Sequence, residues 1–377
     1  MRKKVLFVIP EYSIGGTNTS LENLLTLLDK DRYELSVFCL YEDGSQYYKD
    51  SFKPYILKKS VLYYLLHDHV LFRKIMGALQ RMSSKVTFDW LYKREARKLQ
   101  QKYGFSTVVG FQEGTATEFA SYFKSAKKIA WFHSPYIGYL NRNLEHWKNI
   151  YQQFDGIECV SETFASYFME VYPNLKERVD CVYNTLDDKL ITSLAKKPVQ
   201  DVNFETSSFT IVSLGRFCPQ KQFEKIPAIV DGLHKIGKFK PMRWFVIASG
   251  NQCRDITLEN IAKYHLENEV IILDAKDNPY PYIKQANLVA CTSDSESFSY
   301  VINEGKILHT PVISNKFPVA KEVLSTECGW IASLEDMPKL LFKIINDVDG
   351  IYSKVKESIS TYTYPNNQII EKVNQIL

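Results

Sequence analysis

Short apolar runs that alternate with amphipathic segments constrain this chain more than any other feature of its sequence. The first run, Val5 to Pro10, is followed by Gly15-Gly16, by leucines at helical spacing through Leu28, and by a second apolar run, Leu35 to Leu40. Apolar runs of this length are typical of strands that are buried on both faces of a parallel sheet. The order strand, glycine turn, helix, strand is the beginning of a doubly wound α/β domain.

Ten further apolar runs continue the alternation and divide it into two sets of six predicted strands. They lie at Thr107 to Phe111, Lys128 to Phe132, Gly156 to Val160, Val179 to Tyr183, Phe209 to Leu214, Trp244 to Ala248, Val270 to Leu273, Leu288 to Thr292, Pro311 to Ser314 and Gly329 to Ile331. Between the two sets, residues 187–208 are polar and lack this pattern, which indicates a linker.

The pattern therefore predicts two Rossmann-like domains, one at residues 1–186 and one at residues 209–355. Residues 356–377 are predicted to form a C-terminal helix that closes the second domain or crosses back to the first. Two such domains in tandem are expected to face each other across a cleft at the carboxyl ends of their strands. Folds of this class bind their ligands at that edge.

Composition excludes several classes of protein. The 377 residues are 45% hydrophobic, which is enough for two sizeable cores and too much for a disordered chain. The seven cysteines are scattered singly, so neither a zinc knuckle nor a disulfide framework is favoured, and a reducing compartment fits best. No run approaches the roughly 20 apolar residues of a membrane span, and the N-terminal run is too short for a secretory leader. We expect a cytoplasmic protein, soluble or peripheral to a membrane.

Positive charge is concentrated between Gln46 and Lys102. This segment holds thirteen Lys and Arg residues against four Asp and Glu, interleaved with aromatic residues, whereas the whole chain carries only +4. Basic and aromatic residues together suit the anionic inner face of a cell membrane. Helices with solvated basic faces and aromatic core faces explain the pattern about equally well, and nucleic acid is not favoured as a partner. Leu57 to Lys102 is predicted to be helical.

The stretch that says most about function runs from Asn278 to Ser314. It predicts a helix, a strand, a loop that ends in Glu296, a second helix that contains Glu304, and another strand. A helix N-terminus binds phosphate through its free N–H groups, and a carboxylate can accept hydrogen bonds from a sugar diol. Upstream, Gly215-Arg216 ends a predicted strand and Lys221 follows, which places two cations where they could neutralise a diphosphate. These residues predict a site for a nucleotide-linked sugar.

Three further motifs carry less information. Gly15-Gly16 lacks the G-x-G-x-x-G pattern of dinucleotide sites, but its backbone N–H groups would face the same cleft. His133 directly follows a predicted strand and would also face the cleft, although a histidine there is more often structural. Asp347-Val348-Asp349 spells a metal–diphosphate motif, but its position at the end of a helix favours a capping or surface role. No metal site is predicted.

Taken in order along the chain, these motifs resemble those of the retaining GT-B glycosyltransferases of family 4, of the bacterial surface-polysaccharide type. The resemblance rests on Gly15-Gly16, Val182-Tyr183-Asn184, Gly215-Arg216 with Lys221, Asn278 to Leu288, Glu296 with Glu304, and Thr310 to Ile313. It is close over much of the C-terminal half and follows the order of elements in the N-terminal half. It implies the GT-B fold, two Rossmann-like doubly wound domains that face each other across a cleft.

The resemblance also implies a role for each matching position. His133 and Glu296 would be the catalytic residues, close to the anomeric carbon and the transferred sugar. Arg216 and Lys221 would hold the donor diphosphate, and Glu304 would hold the ribose diol. The other implied donor-binding positions are Gly16, Gly250, Phe298, Ser299 and Tyr300.

Four positions depart from the family pattern. Ser297 and Ser299 stand where glycine is common, Gln222 stands where glycine usually follows the lysine, and His309 stands where glycine often precedes the x-P-V-I motif. These changes alter the bulk and reach of the loop, so the sequence does not predict which sugar is held.

The implied function is that of a hexosyltransferase-type enzyme, metal-independent and without a cofactor. It would move a sugar from a nucleotide-sugar to a lipid-linked or glycan acceptor in cell-surface polysaccharide synthesis. UDP is favoured because it is the commonest donor nucleotide in the family. The alternatives are an epimerase or phosphorylase that acts on the sugar nucleotide, and a non-catalytic GT-B partner subunit. The presence of Arg216, Lys221, Glu296 and Glu304 together disfavours the partner subunit.

Overall fold

The computed structural model describes residues 1–12, 15–41, 52–60, 63, 89–133, 144–199, 201–202, 204 and 208–377. The chain forms two compact units, Met1–Leu186 with Asn366–Leu377, and Asp187–Pro365. The described residues of each unit contain one sheet of six parallel strands. All twelve predicted strands are confirmed, and their ends differ from the prediction by no more than two residues.

The strands carry the frame of both units. In chain order they are β1 (Lys3–Ile9), β2 (Tyr33–Cys39), β3 (Thr107–Gly110), β4 (Lys127–Phe132), β5 (Gly156–Cys159), β6 (Val179–Cys181), β7 (Phe209–Arg216), β8 (Met242–Ser249), β9 (Val270–Asp274), β10 (Leu288–Cys291), β11 (Val312–Asn315) and β12 (Gly329–Ala332).

Helices connect the strands in the described parts of the chain. They are α1 (Gly16–Leu27), α2 (Asp89–Tyr103), α3 (Thr115–Ser121), α4 (Leu144–Tyr151), α5 (Glu162–Val171), α6 (Asp188–Leu194), α7 (Ile226–His234), α8 (Arg254–Lys263), α9 (Tyr280–Gln285), α10 (Tyr300–Ile307), α11 (Pro318–Val323), α12 (Met337–Ile345), α13 (Ile351–Ile359) and α14 (Asn366–Ile376).

The first unit has the strand order β2-β1-β3-β4-β5-β6. β1 lies between β2 and β3, and its residues from Val5 to Ile9 are fully buried, as expected for a strand covered on both faces. Gly110 lets α3 pack directly on the sheet, because a Cβ at this position would lie only 2.8 Å from the Cα of Thr117.

The second unit has the strand order β12-β11-β10-β7-β8-β9. Counted within this unit, the first strand, β7, lies beside the fourth, β10, so the chain reverses its winding direction between them. This is the strand order of the doubly wound dinucleotide-binding fold, which binds ligands at the carboxyl edge where the direction reverses. Trp244, Ile211, Leu288 and Ile313 belong to the buried core around this sheet.

The interpretation of residues 187–208 as a linker is wrong for its first part, which forms α6 in the second unit. The Asp187 carboxylate caps this helix by accepting a hydrogen bond from the Leu190 N–H at 2.8 Å. Ile191 is buried, and the Asn278 side chain donates to the Leu194 carbonyl at 2.9 Å. The helical spacing of these apolar residues is short, so it is easily missed within a polar segment.

The C-terminal segment divides between the two units. α13 lies in the second unit, whereas α14 belongs to the first. Within the first unit, the Lys372 ammonium pairs with Asp180 at 2.7 Å, and the Thr107 hydroxyl donates to the Leu377 carbonyl at 3.1 Å. The Asn366 side chain bonds both backbone groups of Leu186, at 3.2 Å and 2.6 Å. The end of the chain is therefore fastened to the first sheet.

Only part of the basic segment, residues 46–102, can be compared with its prediction. α2 confirms the predicted helix from Asp89 onward, whereas residues 57–60 are not helical. The remaining prediction, over residues 61–88 apart from Tyr63, lies outside the described residues. No described helix of this protein is both long enough and apolar enough to cross a membrane.

Candidate functional site

Most of the predicted site residues belong to two neighbouring strands of the second sheet or to the segments that follow them. β7 ends at Gly215-Arg216, and Lys221 lies in the turn that follows. β10 pairs with β7 and ends at Cys291, and its following loop leads through Glu296 to α10. Because β7 and β10 are the strands between which the winding reverses, these side chains lie where such a fold binds its ligand.

Lys221 and Glu296 form an ion pair at the centre of this site. The Lys221 ammonium lies 2.5 Å from Glu296 Oε1, and the two side chains are 17% and 13% exposed. The Ser293 hydroxyl donates to the same oxygen at 2.7 Å. Burial alone would lower the pKa of Lys221, but the charge of Glu296 and neighbouring groups outweighs burial, and the pKa is raised. Lys221 is therefore a permanent cation at neutral pH.

Hydrogen bonds join the turn that follows β7 to the loop that follows β10. The Thr292 hydroxyl donates to the Lys221 carbonyl at 2.6 Å, and the Asp294 N–H donates to the Gln220 carbonyl at 2.9 Å. From the next strand, the Asn315 side chain donates to the Ser293 carbonyl at 2.9 Å. Sequence reasoning missed Thr292, Ser293 and Asn315. Their position at the carboxyl ends of β10 and β11 was the signal that could have found them.

Gly215 is required by the approach of Lys221. Its φ is +157°, and a Cβ there would lie 3.0 Å from Cε of the Lys221 side chain. The glycine therefore leaves the space through which the lysine reaches Glu296. Arg216, the next residue, is exposed, and its guanidinium makes no hydrogen bond or ion pair with any described residue. The site thus holds two cations. Lys221 is paired with Glu296, whereas no described residue accepts a hydrogen bond from the guanidinium of Arg216.

The start of α10 offers backbone donors beside these cations. Ser299, the residue before the helix, is buried and has a left-handed backbone with φ +61°. The N–H groups of Phe298 and Ser299 donate to no described residue. The Phe298 ring is buried and packs edge-to-face on Tyr300 at 5.3 Å between centroids. Free N–H groups at a helix N-terminus form an anion-binding arrangement.

Glu304 lies one turn inside α10. Burial raises the pKa of its carboxyl group to about 7, although the positive charge of Lys221 opposes this shift. Burial, and then the charges of Glu304 and Asp187, raise the pKa of the nearby Tyr280 phenol. The Glu304 carboxyl group makes no hydrogen bond with any described residue, so a diol could supply the partner that the described chain does not.

Gly250 directly follows β8, the strand on the other side of β7. It has φ +78°, and a Cβ there would lie 3.9 Å from the carbonyl oxygen of Phe217. The Phe217 N–H donates to the Ser249 carbonyl at 2.7 Å. Gly250 therefore lies beside the loop that carries Arg216 and Lys221.

The remaining predicted residues, Gly16 and His133, lie in the first unit. Gly16 begins α1. His133 follows β4 and is buried, and its ring lies 4.6 Å from the Phe111 ring between centroids. Its backbone N–H donates to Glu113 Oε2 at 3.0 Å, and its buried Nε2 has no partner among the described residues. Burial lowers the pKa of His133 to about 3, so its imidazole is neutral at physiological pH.

The described residues contain no group of three or more His, Cys, Asp or Glu side chains placed to hold a metal ion. The D-x-D sequence near the C-terminus has the capping role that its position favoured. The Asp347 carboxylate accepts hydrogen bonds from the N–H groups of Tyr352 and Ser353 at 2.8 Å and 3.0 Å, at the start of α13.

Comparisons with known proteins agree with this architecture. Residues 14–190 match the Glycosyltransferase Family 4 model, and residues 196–347 match the Glycosyl transferases group 1 model. A crystal structure of Anabaena HepE in complex with UDP and glucose superposes with a TM-score of 0.73, at 16% identity, over 99% of both chains. The protein has a GT-B glycosyltransferase fold.

Curated relatives of this GT-B protein include biosynthetic glycosyltransferases. The O-antigen biosynthesis glycosyltransferase WclY of Escherichia coli is 23% identical over 48% of this chain and 49% of its own length. The amylovoran biosynthesis glycosyltransferase AmsD of Erwinia amylovora is 28% identical over 28% of both chains. The alignments thus span about half or less of the curated relatives' length.

The backbone conformation gives a physical reason for three of the four departures from the family pattern. Gln222, Ser299 and His309 all have left-handed backbones, with φ of +52°, +61° and +55°. Glycine is favoured at such positions because other residues pay a steric cost there. These three residues therefore hold backbone conformations in which glycine would be less strained.

Proposed function

We propose that this protein is a retaining, metal-independent glycosyltransferase that moves a hexose from a nucleotide-sugar to a lipid-linked or glycan acceptor. The observation that carries the proposal is the Lys221–Glu296 ion pair beside Arg216, at the carboxyl edge where the second sheet reverses its winding. The UDP and glucose in the Anabaena structure support a UDP-sugar as donor. The O-antigen and amylovoran enzymes among the relatives support a role in cell-surface polysaccharide synthesis.

The charges at this site suit a diphosphate leaving group. When the bond between the sugar C1 and the β-phosphate oxygen breaks, negative charge grows on the phosphate. Arg216 has its guanidinium available, and Lys221 can exchange its contact with Glu296 for one with a phosphate oxygen. The N–H groups of Phe298 and Ser299 add fixed dipoles. Donors that are already in position when the charge develops lower the barrier most effectively.

The two glutamates suit the two sugars of the donor. Once Lys221 turns to phosphate, the Glu296 carboxylate is free to accept hydrogen bonds from hydroxyls of the transferred sugar. Glu304 would accept from the ribose diol. The acceptor hydroxyl would attack C1 on the face that the diphosphate leaves, and its proton would pass to the departing phosphate oxygen. Configuration at C1 is then retained, and the described charges suffice without an added cation.

His133 enters this scheme as a neutral group. With a pKa of about 3, its imidazole can donate or accept a hydrogen bond but holds no positive charge at neutral pH. Its unpartnered Nε2 is suited to a sugar hydroxyl. We therefore assign His133 to orienting a hydroxyl group near C1, and not to acting as a charged acid.

The first unit would also bring the enzyme to a membrane. Trp90 on α2 is 51% exposed, and Lys93, Arg97 and Lys98 on the same helix are exposed as well. An exposed tryptophan among cations fits the headgroup region of an anionic lipid surface. We propose that this basic-aromatic segment, residues 46–102, holds the protein at the inner face of the cell membrane.

A donor panel tests the transferase proposal. Purified protein is given UDP-, GDP- and dTDP-sugars, and both thermal stabilisation and sugar transfer to membrane lipid extract or glycan are measured. A true donor at about 100 times its Kd adds about 2.7 kcal/mol of stability. Lys221→Met and Arg216→Gln should each lower turnover by about 100-fold or more, as for loss of one preorganised charge.

Lys339→Met is the matched control, because this exposed lysine lies on α12, away from the site. Full activity in both site variants would contradict the assigned roles. No binding and no turnover with any donor would overturn the transferase proposal, and so would isomerised donor or sugar phosphate as the only product.

A further inference from the structure

The second unit contains a cavity of about 470 Å³ that the donor site does not use. Its walls come from α6, α9, the C-terminal end of α10 and residues 362–364. The loop of residues 292–299, which follows β10 and carries Glu296, lies at the other end of α10, whose eight residues span about 12 Å. One short helix therefore separates the two places.

Lysines outnumber carboxylates among the described residues that line this cavity. Lys196 lines it and is exposed, and its ammonium makes no hydrogen bond or ion pair with a described residue. Lys284 also lines it and donates to the Leu308 carbonyl at 3.0 Å. Lys356 donates to the neighbouring His309 carbonyl at 3.0 Å. Burial, and then the charge of Lys284, lower the pKa of Lys356, so these like charges are held together at some cost. One carboxylate, Asp188, lies among the described lining residues.

The C-terminal end of α10 only partly explains why two of these lysines, Lys284 and Lys356, lie here. A helix C-terminus attracts cations, and Lys284 and Lys356 each spend one N–H group on a carbonyl there. Each ammonium has two further donors. Lys196 follows the C-terminal end of α6 and contacts no carbonyl of α10, and none of the three donors of its ammonium is used by a described residue.

His309 lies in the cavity wall and directly follows the C-cap residue of α10. Its φ of +55° is the usual conformation for this position, and the N–H groups of His309 and Thr310 donate to the carbonyls of Lys306 and Gly305 at 3.0 Å and 2.9 Å. The Nε2 of His309 lies 3.1 Å from the Tyr362 carbonyl oxygen across the cavity wall. Ala195, Ile307 and Leu308 give the cavity an apolar surface.

We propose that this cavity binds a sugar phosphate, with the phosphate between Lys196 and Lys284 and the sugar against the apolar surface. A volume of 470 Å³ is too large for phosphate alone and falls within the range of small-ligand pockets. This binding does not depend on the proposed transferase function.

Calorimetric titration of the full chain tests the proposal with two probes, glucose 6-phosphate and inorganic phosphate. We expect glucose 6-phosphate to bind more tightly than phosphate, and to bind in the presence of saturating UDP as well as in its absence. Lys196→Met with Lys284→Met should weaken this binding at least tenfold, about the effect of losing one charge-assisted hydrogen bond. Lys196→Met alone should weaken it in the same direction. That variant removes no contact with a described residue and so tests binding without disturbing the fold.

Lys339→Met with Lys343→Met is the matched control, since it removes the same two charges from the exposed side of α12 in the same unit. Equal weakening in this control would overturn the proposal, because it would show a general charge effect. Absence of binding at millimolar probe would also overturn it. Loss of binding on addition of UDP, or in Arg216→Gln, would place the probe in the donor site instead. Failure of the transferase proposal would leave these titrations unchanged.

Discussion

Replacing Glu304 by glutamine should stabilise the second unit, and by an amount that depends on pH. The pKa of the Glu304 carboxyl group is raised from 4.5 to about 7 by burial. The unfolded chain therefore releases this proton at lower pH than the folded chain, and folding becomes less favourable between pH 4.5 and pH 7. A pKa difference of this size would lower the free energy of unfolding by at most about 3 kcal/mol. Because the side chain is partly exposed to solvent, we expect a loss of about 1–3 kcal/mol.

Glu304→Gln keeps the shape of the side chain and removes its ionisation. Above pH 7 the variant should be more stable than the natural protein by about 1–3 kcal/mol, the full cost of the buried carboxylate. Below pH 4.5 both proteins carry a neutral side chain, so the difference should vanish. The gain would accompany weaker donor binding, because an amide oxygen accepts from a ribose diol less strongly than a carboxylate.

Hydrogen exchange followed by mass spectrometry is the appropriate assay, since it reports on each unit separately. The free energy of opening is read from peptides that cover β10, α10 and β11, at pH 5 to 8, with both proteins measured at each pH. Glu335→Gln, an exposed glutamate of the same unit, is the control and should change little. A difference that does not vary with pH would refute the reasoning, and so would a Glu304→Gln protein that is less stable at pH 8.

Two further predictions concern the backbone of the turn after β7, which contains Gln222, and the exposed side chains of α2. Gln222→Gly should stabilise the second unit by about 1 kcal/mol in urea unfolding, because it relieves a left-handed backbone with φ +52°. Gln222→Ala keeps that strain and should bring no gain, and equal stability of the two variants would contradict the explanation. Trp90→Ser with Arg97→Gln should reduce flotation with vesicles that contain anionic lipid, and the reduction should shrink at high salt. Unchanged flotation would count against membrane docking through this helix.

The pattern of buried strands was readable from the sequence because parallel strands covered on both faces must be apolar throughout. β1, β7 and β10 are of this kind, and their ends were predicted within two residues. α6 was not readable, because seven residues in a polar segment give too little periodicity. The assignment of α14 to the first unit was also left open, since its apolar stripe would suit either sheet. Its hydrogen bonds to Leu186 and β3 decide the matter in the structure.

The sequence by itself determined the residue types of the site, namely two cations after one strand and two glutamates around the start of a helix. It also determined the class of ligand that such groups suit. Only the tertiary structure brought Lys221 to Glu296, 75 positions apart, because pairing between β7 and β10 is a long-range event that local pattern does not encode. The tertiary structure also decided which groups are charged. Burial raises the pKa of Glu304 and lowers that of His133, and burial depends on what the rest of the chain packs around them.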